Sequence, residues 1–239
     1  MVIDVSLNTS GTYSFAPSLG ELVLNSYARC GVHRPQITPE HMTDARIEAN
    51  MVLVEFSNRQ VNLWEVDLLT IPLIQGISTY SVPPETVALL DVYIETSSGT
   101  SPPQPNDTYM LPISRTEYAS FPDKVTQAKP TVYWFDRLIA PTITVWQPPD
   151  NNGPYLLRYY RVRQTQDANL QGGQNVEVPY RWLKVFRDKL AAALAVAYAP
   201  DRATALDTYA ERSWEQAAGE DHEDVPMYIY PSLNGYFRI

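Results

Sequence analysis

The sequence predicts an α+β chain, and three observations lead there. Apolar residues recur at steps of three and four near both ends, they alternate with polar ones through the middle, and proline or glycine punctuates that middle at short intervals. With 239 residues, 44% of them hydrophobic and 19% charged, the chain is long enough to bury a sizeable core. Its 20 prolines against 10 glycines point to rigid connections.

Residues 1–17, rich in Ser, Thr, Asn and Gly, form an extended arm. Ser18 is placed to cap a first helix with Leu22, Val23, Tyr27 and Ala28 near one face, and Gly31 ends it. The short link Val32-His33-Arg34-Pro35 implies that this helix and the next pack as neighbours. Thr38 caps the second helix and Pro39 takes its first position, where a missing N–H costs nothing. Met42, Ala45, Ala49, Val52, Leu53 and Phe56 then form one core stripe, while Asp44, Arg46, Glu48 and Glu55 fall off it. Asn58, Arg59 and Gln60 close the helix, and Trp64, with Leu63 and Val66, anchors the turn into the next region.

From residue 68 the period becomes extended. Runs rich in Val, Ile, Thr, Tyr and Trp at 71–74, 77–82, 87–95, 131–136, 142–147 and 155–162 predict antiparallel strands in a small sandwich or barrel. A short helix and turn fall between the third and fourth runs, around Ser114 and Pro122. The polar stretches 97–106 and 164–175 read as loops, available for subunit or tail contacts. Helices return with Tyr180, Arg181 and Trp182, and the alanines at 191–197 permit close helix contact. Pro200 breaks the chain before a last helix with Leu206, Tyr209, Ala210, Trp214 and Ala217 in step. The expected organisation is 1–67 and 177–224 in one helical bundle, 68–176 as a β insertion, and 225–239 as an extended aromatic tail.

Chemistry-bearing groups are sparse. His33, His41 and His222 lack metal-ligand spacing, and the sequence holds no nucleophile elbow, phosphate-cradling glycine loop or paired cysteines. No catalytic, cofactor or metal residue is therefore assigned, and a non-enzyme is expected. The run Glu220, Asp221, His222, Glu223 and Asp224 offers hard oxygens to a divalent cation, but reads first as a solvated helix end. Carboxylate pairs for sugar cleavage cannot be measured in a sequence, which leaves a cell-wall glycoside hydrolase as the enzyme alternative.

A net charge of −9 argues against wrapping nucleic acid. Arg161 and Arg163 share a strand face with Tyr159 and read as charge protecting an edge. Arg181, Lys184 and Arg187 mark a polar helix face that is solvated or meets an acidic neighbour. Cys30 has no partner for a disulfide. There is no signal-peptide pattern, and the longest apolar run, 190–199, is half of the roughly 20 residues that cross a bilayer, so a cytosolic site of synthesis without a membrane is expected. The tail carries Met227, Tyr228, Ile229, Tyr230, Leu233, Tyr236, Phe237, Arg238 and Ile239, too much apolar surface to lack a partner, either the chain's own core or another subunit.

The run from Thr38-Pro39-Glu40 to Asn58-Arg59-Gln60-Val61-Asn62-Leu63-Trp64 resembles the head-to-tail adaptor proteins of short-tailed bacteriophages, the ring that joins portal to tail. The likeness continues in Arg115-Thr116-Glu117-Tyr118, Pro122-Asp123-Lys124, Trp146-Gln147-Pro148-Pro149, Tyr159-Tyr160-Arg161 and the acidic turn at 219–226. It implies a structural virion protein, assembled in host cytoplasm, forming a dodecameric homo-oligomeric ring at the head–tail junction. Such a ring sits below the portal protein and receives a tail nozzle or tail tube protein. Double-stranded DNA passes through it without sequence-specific binding, and no cofactor is implied. In this family the C-terminal segment reaches into the portal, which assigns the nine tail residues above to a portal interface. The alternative within the same build is another neck or tail tube structural protein.

Overall fold

The computed structural model describes residues 10–59, 62–98, 104–170 and 173–221. In chain order the elements are α1 (Leu19–Cys30), α2 (Pro39–Arg59), β1 (Val66–Pro72), β2 (Thr79–Ser81), β3 (Thr86–Ser98), β4 (Gln104–Tyr109), β5 (Leu111–Pro112), α3 (Arg115–Ser120), β6 (Val132–Asp136), β7 (Thr142–Trp146), β8 (Tyr155–Arg163), α4 (Leu183–Tyr198) and α5 (Pro200–Ala218). This is an α+β fold.

The helix ends follow local chemistry. The Ser18 hydroxyl accepts the Glu21 N–H, and the Glu21 carboxylate accepts the Ser18 N–H at 2.9 Å, a reciprocal cap. Gly31 closes α1 with φ near 88°, a left-handed geometry that favours glycine. The Thr38 hydroxyl accepts the His41 N–H at the start of α2. Pro200, expected only as a break, is the first residue of α5, which therefore follows α4 with no loop between them beyond Ala199.

Residues from both ends of the chain share one hydrophobic cluster. Leu22, Val23 and Tyr27 of α1, Ala45, Ala49, Val52, Leu53 and Phe56 of α2, Phe186, Leu190 and Leu194 of α4, and Trp214 of α5 are all buried in it. The expectation that α1 and α2 pack as neighbours holds only locally, because both lie chiefly against α4. Their link includes a 3-10 turn at Arg34–Gln36 and is long enough for α4 to be shared. One bond still joins them, from the Tyr27 hydroxyl to the His41 carbonyl at 2.6 Å. Ala28 and Tyr209, expected on core faces, are exposed. Ser26 and Ser213 take inner positions instead, the first donating to the Arg187 carbonyl at 3.1 Å and the second to Asp188 at 2.8 Å. A purely apolar template overlooks such hydroxyl-mediated helix contacts.

At the centre of the cluster four aromatic rings interlock. Phe56 and Trp214 lie 4.8 Å apart between centroids, Trp182 and Trp214 4.9 Å, Trp64 and Trp182 5.3 Å, and Phe56 and Trp182 5.5 Å. The Arg59 guanidinium covers the Trp214 ring at 4.9 Å and forms a two-pronged pair with Glu211, both bonds at 2.7 Å. The buried Lys189 ammonium joins the same carboxylate and Glu55, so α2, α4 and α5 are clasped over the rings.

The middle of the chain forms two four-stranded sheets, ordered β1-β8-β3-β4 and β2-β7-β6-β5. Val92, Ile94, Leu157 and Tyr159 of one face Tyr80, Tyr133, Ile143 and Val145 of the other in a second core, so the insertion is a sandwich and not a closed barrel. Its pairing is antiparallel except for β5 on β6, which is parallel. Of the region expected as the loop 97–106, Ser97 and Ser98 end β3 and Gln104, Pro105 and Asn106 begin β4, while 99–103 lie outside the described residues. Gln104-Pro105-Asn106-Asp107 carries little strand propensity, and β4 is an exposed edge, where proline is tolerated.

Arg161 also departs from expectation. It does share the Tyr159 face, but β8 is an inner strand between β1 and β3, and Arg161 is only 5% exposed. Its guanidinium bonds Asp67 at 2.7 and 3.2 Å, Glu85 at 3.1 Å and the Thr86 hydroxyl at 2.9 Å. Arg163 forks onto Glu177 at 2.5 and 3.0 Å. Beside them the buried Glu65 carboxylate accepts from Asn62 at 3.1 Å, Ser57 at 3.3 Å and the Thr165 hydroxyl. The bonds of Glu65 and Arg163 join sandwich to bundle, whereas those of Arg161 tie β8 to β1 and β3 within the sandwich. In the stretch 164–175, of which 171–172 lie outside the described residues, Ala168 and Leu170 pack on the helical core, and the Asn50 amide bonds the Ala168 backbone twice, at 2.9 and 3.0 Å.

Two outcomes follow. Trp182→Ala removes the ring that touches three others and costs about 3–5 kcal/mol of stability, measured by chemical denaturation. Hydrogen bonds from Arg59, then those from Lys189, hold the Glu211 carboxyl at about 2 against an ordinary 4.5. Its contribution is therefore complete above pH 4.5 and is lost as pH falls towards 2. Denaturation between those limits should show a stability slope that is shallower in Glu211→Gln.

Candidate functional site

The surface that asks for a partner is the outer side of α2. At about 100° per residue, Ala49, Val52, Leu53 and Phe56 point into the core while Ile47, Met51 and Val54, spaced by four and three, fall on the opposite side. These three are 46%, 60% and 55% exposed, and Leu63, beyond the helix end, is exposed as well. Single exposed apolar residues are ordinary, but three in register on one helix make a stripe. From Val54 a shallow cavity of about 340 Å³ leads to Val87 at the start of β3. A second cavity, sharing Val87 and Gln164, continues to Leu138 and Ile139 in the β6–β7 turn. Ile139 is almost fully exposed. The apolar band thus spans bundle and sandwich, and the clasp around Glu65 and Arg163 fixes its two halves relative to one another.

This band escaped the sequence reading. Its signal was present, since Ile47, Met51 and Val54 keep helical spacing, but the core stripe already accounted for a helix there.

The residues singled out from the sequence scatter. Thr38, Met42 and Phe56 serve the bundle. His41 stacks on Tyr198 at 4.7 Å, with its Nδ1 at 2.6 Å from the Thr38 hydroxyl, and His33 bonds Gln36 through its backbone. The acidic run does not stand free as a whole: the Asp221 side chain is buried and pairs with Arg181 at 2.9 Å. His222, Glu223, Asp224 and the tail positions Met227, Tyr228, Ile229, Tyr230, Leu233, Tyr236, Phe237, Arg238 and Ile239 lie outside the described residues. Among the described residues no three His, Cys, Asp or Glu side chains are grouped to hold a metal ion, and no helix is long and apolar enough to cross a membrane.

Arg181, Lys184 and Arg187 do come together, lining a groove of about 680 Å³ between the start of α1, the start of α4 and the arm residues Phe15 and Pro17. Phe15 meets Tyr180 edge to face at 6.2 Å, and both rings are largely exposed. No protein-family model and no curated protein matches the sequence.

If the α2 stripe serves association and not folding, replacing Met51 and Val54 together by serine should change stability by about 0.5 kcal/mol or less, a shift of roughly 1–2 °C in thermal midpoint. Leu53→Ala, on the buried side, should cost about 2–5 kcal/mol in the same calorimetric scan.

Proposed function

We propose that this chain is a structural subunit of a tailed-phage neck, a head-to-tail adaptor that assembles as a dodecameric ring below the portal, meets the tail nozzle or tube on its other side, and surrounds passing DNA. The observation that carries the reading is the apolar band from Ile47 to Ile139, a surface the chain's own two cores leave unused. Such a band is what a subunit that lives among copies or partners requires. The resemblance of the α2 segment and the later motifs to adaptor proteins supplies the identity of those partners.

Assembly on a preformed portal explains how a dilute subunit finds its ring. The portal fixes position and copy number, each bound chain meets its neighbours at high local concentration, and lateral contacts too weak to form among dilute free subunits close the circle. The residues Met227 to Ile239 are proposed to enter the portal, where tyrosine and phenylalanine burial offsets the entropy of ordering a chain end.

The test is light scattering of the full chain mixed with intact portal rings. A complex carrying one copy per portal subunit is expected, and removing the Tyr228, Tyr230 and Tyr236 side chains should weaken attachment at least tenfold while shifting the melting temperature little. A chain that ignores an intact portal overturns the reading, and sugar release from purified cell wall would replace it with a glycoside hydrolase.

A further inference from the structure

The outer stripe of α2 has an acidic rim. Glu40, Asp44 and Glu48 follow at steps of four and run beside Ile47, Met51 and Val54 on the solvent half of the helix. Of these, Asp44 accepts the Tyr198 hydroxyl, and Glu48 has no bonded partner among the described residues. The ridge is therefore apolar along its crest and negative along one side.

Elsewhere on the bundle the sign reverses, although the chain as a whole carries −9. The groove at Phe15 and Tyr180 shares Lys184 with a second cavity of about 460 Å³, between α4 and α5, lined by Arg29, Tyr209 and Arg212. Across the two, Arg29 and Arg187 divide Asp188 at 3.0 and 2.8 Å, and Arg181 takes Asp221. Arg34, Lys184 and Arg212 are left without a carboxylate partner among the described residues. Exposed Phe15, Tyr180 and Tyr209 lie among these cations. Glu21 also lines the first groove, its carboxylate held by Ser18, and with Asp188 and Asp221 it leaves the cations in excess, so this flank is apolar and net positive, the complement of the α2 ridge.

We infer that the α2 ridge of one copy docks on the Phe15–Tyr180–Lys184 flank of a second copy, an inference that rests on the ring reading and names the faces that build it. Met51 and Ile47 supply polarizable and aliphatic surface to exposed aromatic rings. Glu48 and Glu40 meet Lys184 and Arg34 at the rim, where charge pairing sets orientation and association rate. Because ridge and flank are different surfaces, every copy retains one unused face after the first contact. Such head-to-tail contacts propagate into a ring, which a self-complementary patch does not do. Rim pairs in water are screened by salt, so the contact weakens as ionic strength rises.

The experiment is sedimentation velocity of the purified full chain over a concentration series up to millimolar, at low and high salt. A ridge variant carries Glu48→Lys with Met51→Asp, and a flank variant carries Lys184→Glu with Arg212→Glu. All four positions are exposed or half-exposed, so both should melt as the parent does. Each variant alone should self-associate at least tenfold more weakly than the parent. Mixed, they should form dimers that go no further, because the mixture retains one intact ridge and one intact flank. That restored dimer also proves both variants folded; should either double variant unfold, the single substitutions Met51→Asp and Lys184→Glu repeat the test.

Four results overturn the inference. They are a parent chain that stays monomeric at millimolar concentration, variants that assemble like the parent, a folded mixture that stays monomeric, and duplex DNA binding lost in the flank variant while self-association is unchanged. None of them touches attachment to the portal, which is measured separately, so failure of these faces is distinguishable from failure of the adaptor reading.

Discussion

The packing of Phe56, Trp64, Trp182 and Trp214 is the contact on which the rest of the molecule depends. It joins residues from α2 and the turn after it to residues more than a hundred positions later, and β1 begins directly beyond Trp64. Closing so long a loop costs entropy that grows only slowly with its length, so one well-packed aromatic cluster with its Arg59–Glu211–Lys189 clasp can hold both ends of the insertion. Once those ends are fixed, the sandwich needs only its own inner faces to form.

Orientation is a separate matter, and polar chemistry settles it. Glu65 and Arg163 lie where chain passes between the two cores, each with several charge-assisted bonds. Apolar contact alone would permit the modules to slide, whereas a forked guanidinium–carboxylate pair has a fixed geometry. The consequence for function is that the stripe on α2, Val87 and the β6–β7 turn are presented as one surface. A helix with apolar residues on both its buried and its exposed side is not strongly amphipathic, and α2 is of this kind.

Much of the fold is legible in the sequence because local rules and tertiary demands agree there. Ser18, Gly31, Thr38 with Pro39, and the stripe ending at Phe56 all do in the structure what their spacing implies. The disagreements share a cause, which is that sequence patterns describe an element alone. Which helix lies between α1 and α2, whether β8 is an edge, and whether Arg161 meets water or Asp67 are decided by elements far away in the chain. Ser26 and Ser213 are inside because hydroxyls can satisfy carbonyl and carboxylate groups across a helix contact. The candidate surface was hidden for a further reason: apolar residues on two sides of one helix blur the periodicity by which either would be noticed.

The claim at the centre of this account is that the outward side of α2 is an assembly surface. It is tested most directly by an environment-sensitive fluorophore at Met51→Cys. The native Cys30 is buried, with its sulfur directed at the Ala191 carbonyl at 3.4 Å, and leaves the new thiol as the accessible one. As the labelled chain is loaded onto intact portal rings, the account predicts a blue shift and protection from aqueous quencher that rise with ring occupancy. Complexes that form fully while the probe stays as wet as in the free monomer would contradict it.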